Sequence, residues 1–189
     1  MRIITYNDRS TVVSLAACLE GGGIAIVPGD TIYGIFGRVP DSETRIRDIK
    51  GRSEKKPFIE LLPSGAAVQG HLRKEIDPRI IDLWPAALTV VLDRGKEETV
   101  AVRVPDDPFL LRVLRTCESP LYSTSVNRAG QTPLWRASDI IESFSVLVDL
   151  FVDGGNRQRG EPSTILDATT RPYRVIRQGS FLVPQSLLS

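Results

Sequence analysis

The sequence predicts an α/β fold built on a mixed sheet with flanking helices, and three observations carry that reading. Ile24 to Val27 is a continuous apolar run bounded by glycine and Pro28, the pattern of a strand buried on both faces and therefore of a sheet covered by helices. Segments with helical and strand periodicity alternate along most of the 189 residues. Leu88 to Leu92 and Val100 to Val104 are joined only by the charged stretch DRGKEE, a separation that suggests an antiparallel pair and so a mixed sheet.

Ile3 to Thr5 opens the chain as a short strand. Ser10 to Glu20 follows as an amphipathic helix, with apolar residues at 12, 13, 15, 16 and 19, and Gly21-Gly22-Gly23 ends it. After the buried strand, Pro28-Gly29-Asp30-Thr31 reads as a turn. Asp41 to Ile49 is a helix that Asp41 or Ser42 can cap, Pro57 to Leu62 a strand, and Ile76 to Leu83 a helix stopping before Pro85. Phe109 to Arg115 and Ser138 to Phe144 are further helices. Leu121 to Thr124, Val146 to Val152, Ser163 to Asp167 and Tyr173 to Arg177 are further strands.

Composition narrows the class. With 41% hydrophobic residues the chain can bury a full core, and residues 1–189 fit one domain better than two. A formal net charge of +1 gives no strong global field toward nucleic acid or membrane, so a basic site must be local. Cys18 and Cys117 are far apart and the single histidine is His71, which argues against a zinc site or a disulfide framework and fits a reducing cytoplasm. MRIITYNDRS has no leader pattern, and no apolar run approaches the ~18 residues of a membrane span.

Lys50-Gly51-Arg52 ends a helix, and Ser53, Lys55 and Lys56 follow before Pro57 opens a strand, so cations gather where a loop enters the sheet. Arginine offers a planar fork to phosphate oxygens and lysine a mobile point charge, a pairing suited to a triphosphate. The bland alternative is a solvated helix end favoured by the macrodipole. STSVNRAG at 123–130 offers Ser123, Thr124, Ser125 and Asn127 as hydrogen-bonding groups after a strand, or is a plain Ser/Asn-rich turn. Thr31, Tyr33 and Gly34 fall at the carboxyl edge of the sheet, where ligands bind. Neither GxxxxGK[ST] nor GxGxxG is present. Trp84 and Trp135 read as packing residues and His71 as a surface residue, which leaves no Ser/His/Asp arrangement and no cysteine nucleophile with a base.

PGDTIYGI, KGRSEKKPF, LWPAALTVVL, VAVRVPD, PLYSTSVNRAG, STILDAT and VIRQGS stand in the order and at the spacing of the motifs of the YrdC/TsaC family, which this chain resembles from residue 10 to about 180. That resemblance implies a YrdC-like twisted mixed sheet around a basic concave cavity, and the short form of the family without the extra C-terminal domain. It implies a threonylcarbamoyl-AMP synthase, a nucleotidyltransferase joining L-threonine, bicarbonate and ATP and releasing pyrophosphate. Partner proteins then pass the threonylcarbamoyl group to certain tRNAs. By resemblance, Lys50, Arg52 and Lys56 hold the triphosphate, Ser125 and Asn127 contact the nucleotide and Arg177 closes over it. Thr31, Tyr33, Arg103 and Ser163 surround the threonine. Mg²⁺ is expected on the phosphates, with no metal ligand from protein side chains.

The chain departs from the family pattern at Gly29, where threonine is usual, at Ala86-Ala87, where Gly-Pro is usual, and at Val126, where alanine is usual. Gly29 is expected to remove a hydroxyl near the threonine and Val126 to add bulk beside the nucleotide. Glu60 is expected either to point into the cavity or to face outward on an edge strand. Two rival functions remain open at this stage. One is a paralogue binding double-stranded RNA or the ribosome, and the other is a carbamoyl-adenylate-forming domain like those of hydrogenase-maturation proteins.

Overall fold

The computed structural model describes residues 1–6, 9–51, 57–72, 74–96, 98–157 and 160–189. Ten strands form one sheet. They are β1 (Arg2–Thr5), β2 (Ala25–Pro28), β3 (Tyr33–Arg38), β4 (Ile59–Leu61), β5 (Leu88–Gly95), β6 (Glu98–Arg103), β7 (Leu121–Ser125), β8 (Leu150–Asp153), β9 (Thr164–Asp167) and β10 (Arg174–Arg177). Their spatial order is β1-β8-β2-β3-β7-β4-β6-β5-β9-β10, with parallel and antiparallel pairs intermixed as the sequence predicts. The helices are α1 (Arg9–Glu20), α2 (Glu43–Lys50), α3 (Gly65–His71), α4 (Pro78–Ile81), α5 (Pro108–Cys117) and α6 (Ala137–Phe144).

Strand β2 is buried along its whole length, and its alternate side chains enter different cores. Ala25 and Val27 join Leu15 and Leu19 of α1 and Leu110 and Val113 of α5, while Ile26 joins Ile46 of α2 and Ile140 and Phe144 of α6. A third core forms where α3 and α4 lay Val68 and Ile80 against Leu88 and Val90 of β5 and Val102 of β6. Trp84 belongs to it, with its indole N–H donating to the Leu88 carbonyl at 2.9 Å.

Strand β3 and helix α3 are absent from the sequence prediction. Strand β3 reads YGIFGR, whose two glycines weaken strand propensity. Close approach requires them: a Cβ on Gly34 would meet the Phe36 ring at 2.6 Å, and one on Gly37 would meet the Ser42 Cβ at 2.5 Å. Helix α3 is short and glycine-bearing, and the Ser64 hydroxyl starts it by accepting the Ala67 N–H at 3.1 Å. The predicted 76–83 helix shrinks to α4, with Asp77 as its cap. The predicted 146–152 strand begins only at Leu150, because Val146 is 91% exposed in the turn before it.

Candidate functional site

Strand alternation builds the site. Ile59 lies opposite Ser123 and Ala101, and Ala101 opposite Val91, so these side chains share one face of the sheet. Leu61 pairs with Arg103, Thr89 with Ile165, and Ile165 with Arg177, which extends that face across six strands. Together with the turn at 29–32 they enclose a concave cavity of about 430 Å³. Its lining brings together Thr31, Tyr33, Arg103, Ser125, Ser163 and Arg177, residues that the sequence reading selected from distant motifs.

Arg103, at the end of β6, is 6% exposed. Its Nη2 donates to Asp30 Oδ2 at 2.5 Å, its Nε to the Ala86 carbonyl at 3.3 Å, and its Nη1 reaches Thr31 Oγ1 at 3.5 Å. Asp30 also accepts the Asp106 N–H at 3.0 Å, tying the turn to the start of α5. Burial lowers the Arg103 pKa and the Asp30 charge opposes that shift. Arg177 Nε and Nη2 donate to the Ser163 carbonyl at 3.1 and 2.8 Å. Its pKa is lowered by burial and then by the charge of Arg103. Burial and the nearby Arg103 charge both disfavour the charged form of Arg177, and an anion bound beside it relieves both.

At the other end, β7 runs into the loop carrying Asn127. Lys50 closes α2 and is 3% exposed, and Gly51 caps the helix in the left-handed conformation at φ 59°. The Lys50 ammonium donates to the Ser125 carbonyl at 2.6 Å and to Asn127 Oδ1 at 2.8 Å. Ser125 Oγ donates to the same Oδ1 at 2.5 Å, while Asn127 Nδ2 donates to the carbonyls of Arg128 and Gln131. Lys50 and Asn127 thus stand behind Ser125, outside the cavity lining, and hold the loop in place. The solvated helix-end reading of Lys50 is overturned, because its side chain is drawn inward to a backbone carbonyl and an amide oxygen. Arg52 and Lys56 lie outside the described residues. Pro57, directly after them, is on the cavity wall.

Several expectations change. Tyr33 lines the cavity, but its hydroxyl is committed, donating to the Gly155 carbonyl at 2.8 Å and accepting the Gly154 N–H at 3.0 Å. Val126 adds no bulk beside the nucleotide residues: it is fully buried in the core of α2 and α6, since it falls one residue past the cavity-facing Ser125. Gly29 does line the cavity, and a Cβ there would come 2.7 Å from the Ile32 carbonyl oxygen, so any side chain would force the tight 29–32 turn to shift. Ala86 and Ala87 serve through their backbones, accepting from Arg103 and from the Thr164 N–H.

Glu60 meets neither expectation. Strand β4 is interior to the sheet, between β7 and β6, and Glu60 faces away from the cavity at 3% exposure. Its Oε2 lies 2.6 Å from His71 Nε2 and 2.7 Å from Arg94 Nη2. His71 is accordingly a partner of a buried carboxylate and no simple surface residue. Burial by itself raises the Glu60 pKa, but the bonds to His71 and Arg94 outweigh it and leave the carboxyl below its ordinary value. Thr89, fully buried in the cavity wall, is a site residue that sequence reading missed; its hydroxyl lies 2.9 Å from Ser163 Oγ. The only signal available was a polar residue at alternate register with Val91 in an apolar strand.

The family model Sua5/YciO/YrdC, described as "Telomere recombination", matches residues 17–179. A threonylcarbamoyl-AMP synthase of Pseudoalteromonas translucida is 31% identical over 86% of this chain and 95% of its own length. Another, of Nitrosococcus oceani, is 33% identical over 84% of this chain and 94% of its own. Among solved structures, the crystal structure of Pyrococcus abyssi Sua5 complexed with L-threonine superposes with a TM-score of 0.86 at 27% identity. That match covers 95% of this chain and 58% of the Sua5 chain.

Proposed function

The chain belongs to the Sua5/YciO/YrdC family, and on that footing we propose that it is a threonylcarbamoyl-AMP synthase, forming threonylcarbamoyl-AMP and pyrophosphate from L-threonine, bicarbonate and ATP. The observation that carries the reading is one cavity lined by two guanidinium groups, Arg103 and Arg177, together with the hydroxyls of Thr31, Ser125 and Ser163. Relatives of matching length that carry this activity by name support it, as does the L-threonine complex of the Pyrococcus abyssi protein.

The chemistry asks for alignment and charge neutralisation. The threonine amine takes up bicarbonate with loss of water to give a carbamate. A carbamate oxygen then attacks the α-phosphorus, the bond to the β-phosphate oxygen breaks, and pyrophosphate leaves. No protein nucleophile is required, only donors where negative charge collects. Arg103 holds the amino-acid end with Thr31, Tyr33 and Ser163, and Arg177 closes over the nucleotide. Ser125 meets the nucleotide, and Lys50 with Asn127 keeps its loop in register. Arg52 and Lys56 hold the triphosphate from the segment that leaves Gly51 and returns at Pro57, and Mg²⁺ arrives on the phosphates.

Residues 1–189 act as a single YrdC-like domain, a reading supported by the one sheet that takes in every described strand. Among the described residues no helix is long and apolar enough to cross a membrane. We place the enzyme in the cytoplasm, where partner proteins carry the product to tRNA. Pyrophosphate release from ATP tests the function. It should require both L-threonine and bicarbonate, and equal release without threonine would overturn the reading.

A further inference from the structure

A second concavity, of about 450 Å³, opens between α3 and the end of α5 and shares no lining residue with the substrate cavity. Its size suits a small molecule. Leu62, Ala67 and Leu114 make one side apolar, and the polar groups stand together where α5 ends, at Arg115, Glu118 and Ser119. Glu118 holds the left-handed conformation at φ 51°, at a helix-end position that usually falls to glycine. A side chain kept there against backbone strain points to a use for that side chain. The Ser119 hydroxyl is buried and has no hydrogen-bond partner among the described residues, and rotation about one bond turns it to a bound polar group.

The charges define the ligand. Arg115 and Glu118 are exposed side chains near one another in sequence, and among the described residues neither has an ion-pair partner. The guanidinium suits a carboxylate. An ammonium group suits the Glu118 carboxylate and the C-terminal carbonyls of α5, where the macrodipole favours a cation. A carboxylate and an ammonium a few atoms apart, followed by an apolar group for Leu62 and Leu114, describe an α-amino acid with an aliphatic side chain.

We propose that this pocket binds a free aliphatic α-amino acid at a second site, separate from the substrate cavity. Leu62 also ties the pocket to that cavity, since its backbone N–H donates to the Arg103 carbonyl at 3.0 Å. An occupant packed on Leu62 bears on the strand end that carries Arg103, and the affinity for threonine should shift with it, reciprocally. The coupling rests on the reading that the cavity binds threonine, whereas the binding at the second site does not.

Calorimetry on the full chain with L-leucine tests the site. The wild type should bind leucine. The compounds 4-methylpentanoate and 3-methylbutylamine, which each lack one of its charged groups, should bind roughly 10-fold more weakly, on the scale of a charge-assisted bond. Arg115→Gln should weaken leucine to the same degree, and so should Glu118→Gly, which keeps the left-handed backbone without strain; threonine affinity and melting temperature should not fall in either. Gly70→Leu should block the pocket, because a Cβ at Gly70 meets nothing within 4 Å and the added side chain fills open space in the lining. Saturating leucine should change the threonine affinity of the wild type by roughly 5-fold. Failure of the wild type to bind leucine would overturn the site. Undiminished binding by Gly70→Leu and Glu118→Gly would overturn it too, placing the leucine in the substrate cavity. Leucine bound at the pocket with threonine affinity unmoved would remove the coupling. A wild type that binds leucine, loses it in these variants and never binds threonine would uphold the site and bring down the synthase reading.

Discussion

Strands β4 and β6 carry two buried charges one register step apart, aimed at opposite faces of the sheet. Arg103, opposite Leu61, faces the cavity against Asp30, whereas Glu60, opposite Val102, faces away and is held by His71 and Arg94. The Arg103 and Asp30 side chains are 8% and 10% exposed, so both charges are withdrawn from water. The Glu60 side chain is 4% exposed, but its partners remain 25% and 34% exposed and keep much of their hydration. One pair belongs to the binding face, and the other ties strand β4 to α3 and β5 on the far side. Because side chains alternate strictly, a slip of one residue would exchange the faces and put a carboxylate where an anion is to bind. The positive character of the cavity is therefore a property of strand register as much as of composition.

The sharpest test of that division is Arg103→Met. It strands the Asp30 carboxylate in a buried setting, which should cost about 3–5 kcal/mol in urea unfolding. Threonine binding should be lost with it. Adding Asp30→Asn should recover most of the stability and none of the binding. If the double variant stayed as unstable as the single one, the ion pair would not be what the turn at 29–32 depends on.

Glu60→Gln should behave in the opposite way. It removes a charge from two cation contacts and sets an amide against Arg94, so stability should fall by about 2–3 kcal/mol. ATP and threonine affinities should hold at wild-type values, and a clear change in either would show that the two faces are coupled. Acid titration refines the same point. The Glu60 carboxyl is held below its ordinary value in the folded chain, by bonds to His71 and Arg94 that overcome burial. Its contribution is fully present above the unfolded value of about 4.3 and is lost as pH falls through the lower folded value. Wild-type stability should therefore drop more steeply than that of Glu60→Gln below about pH 4.3, with the two curves parallel above it. Parallel curves throughout would mean that the His71 and Arg94 contacts stabilise no charge.

Much of this was legible in the sequence, for reasons that differ along the chain. The strand at 24–27 and the helices at 10–20 and 109–115 announce themselves by unbroken or periodic apolar residues, and local pattern decides them. Strand β3 and helix α3 do not, because their glycines answer to neighbours elsewhere in the chain, such as Ile81 beside Gly65. At the site, Arg103, Ser163 and Arg177 were found through their motifs and do meet on one cavity. The direction of Lys50, inward to Ser125 and Asn127, was hidden because a helix-end lysine reads alike whether it is solvated or buried. Glu60 was misread for a related reason: nothing in FIELL says that β4 is interior to the sheet, or that His71 and Arg94 wait on the far face.

Val126 carries the smallest expected effect and separates the two faces most cleanly. It follows Ser125, whose side of the chain lines the cavity, and turns instead into the core with Ile46, Ile140 and Phe144. Val126→Ala, which reinstates the residue usual in the YrdC/TsaC pattern, removes two buried methyl groups at roughly 0.8 kcal/mol each. The loss should come to about 1–2 kcal/mol, with local collapse offsetting part of it. The ATP affinity should not move, since neither methyl group reaches the cavity. Had the valine narrowed the nucleotide end, the alanine variant would bind ATP more tightly at little cost in stability. Parallel calorimetry and thermal unfolding decide between these outcomes, and tighter ATP binding by Val126→Ala would place the side chain on the binding face and break the separation drawn from the strands.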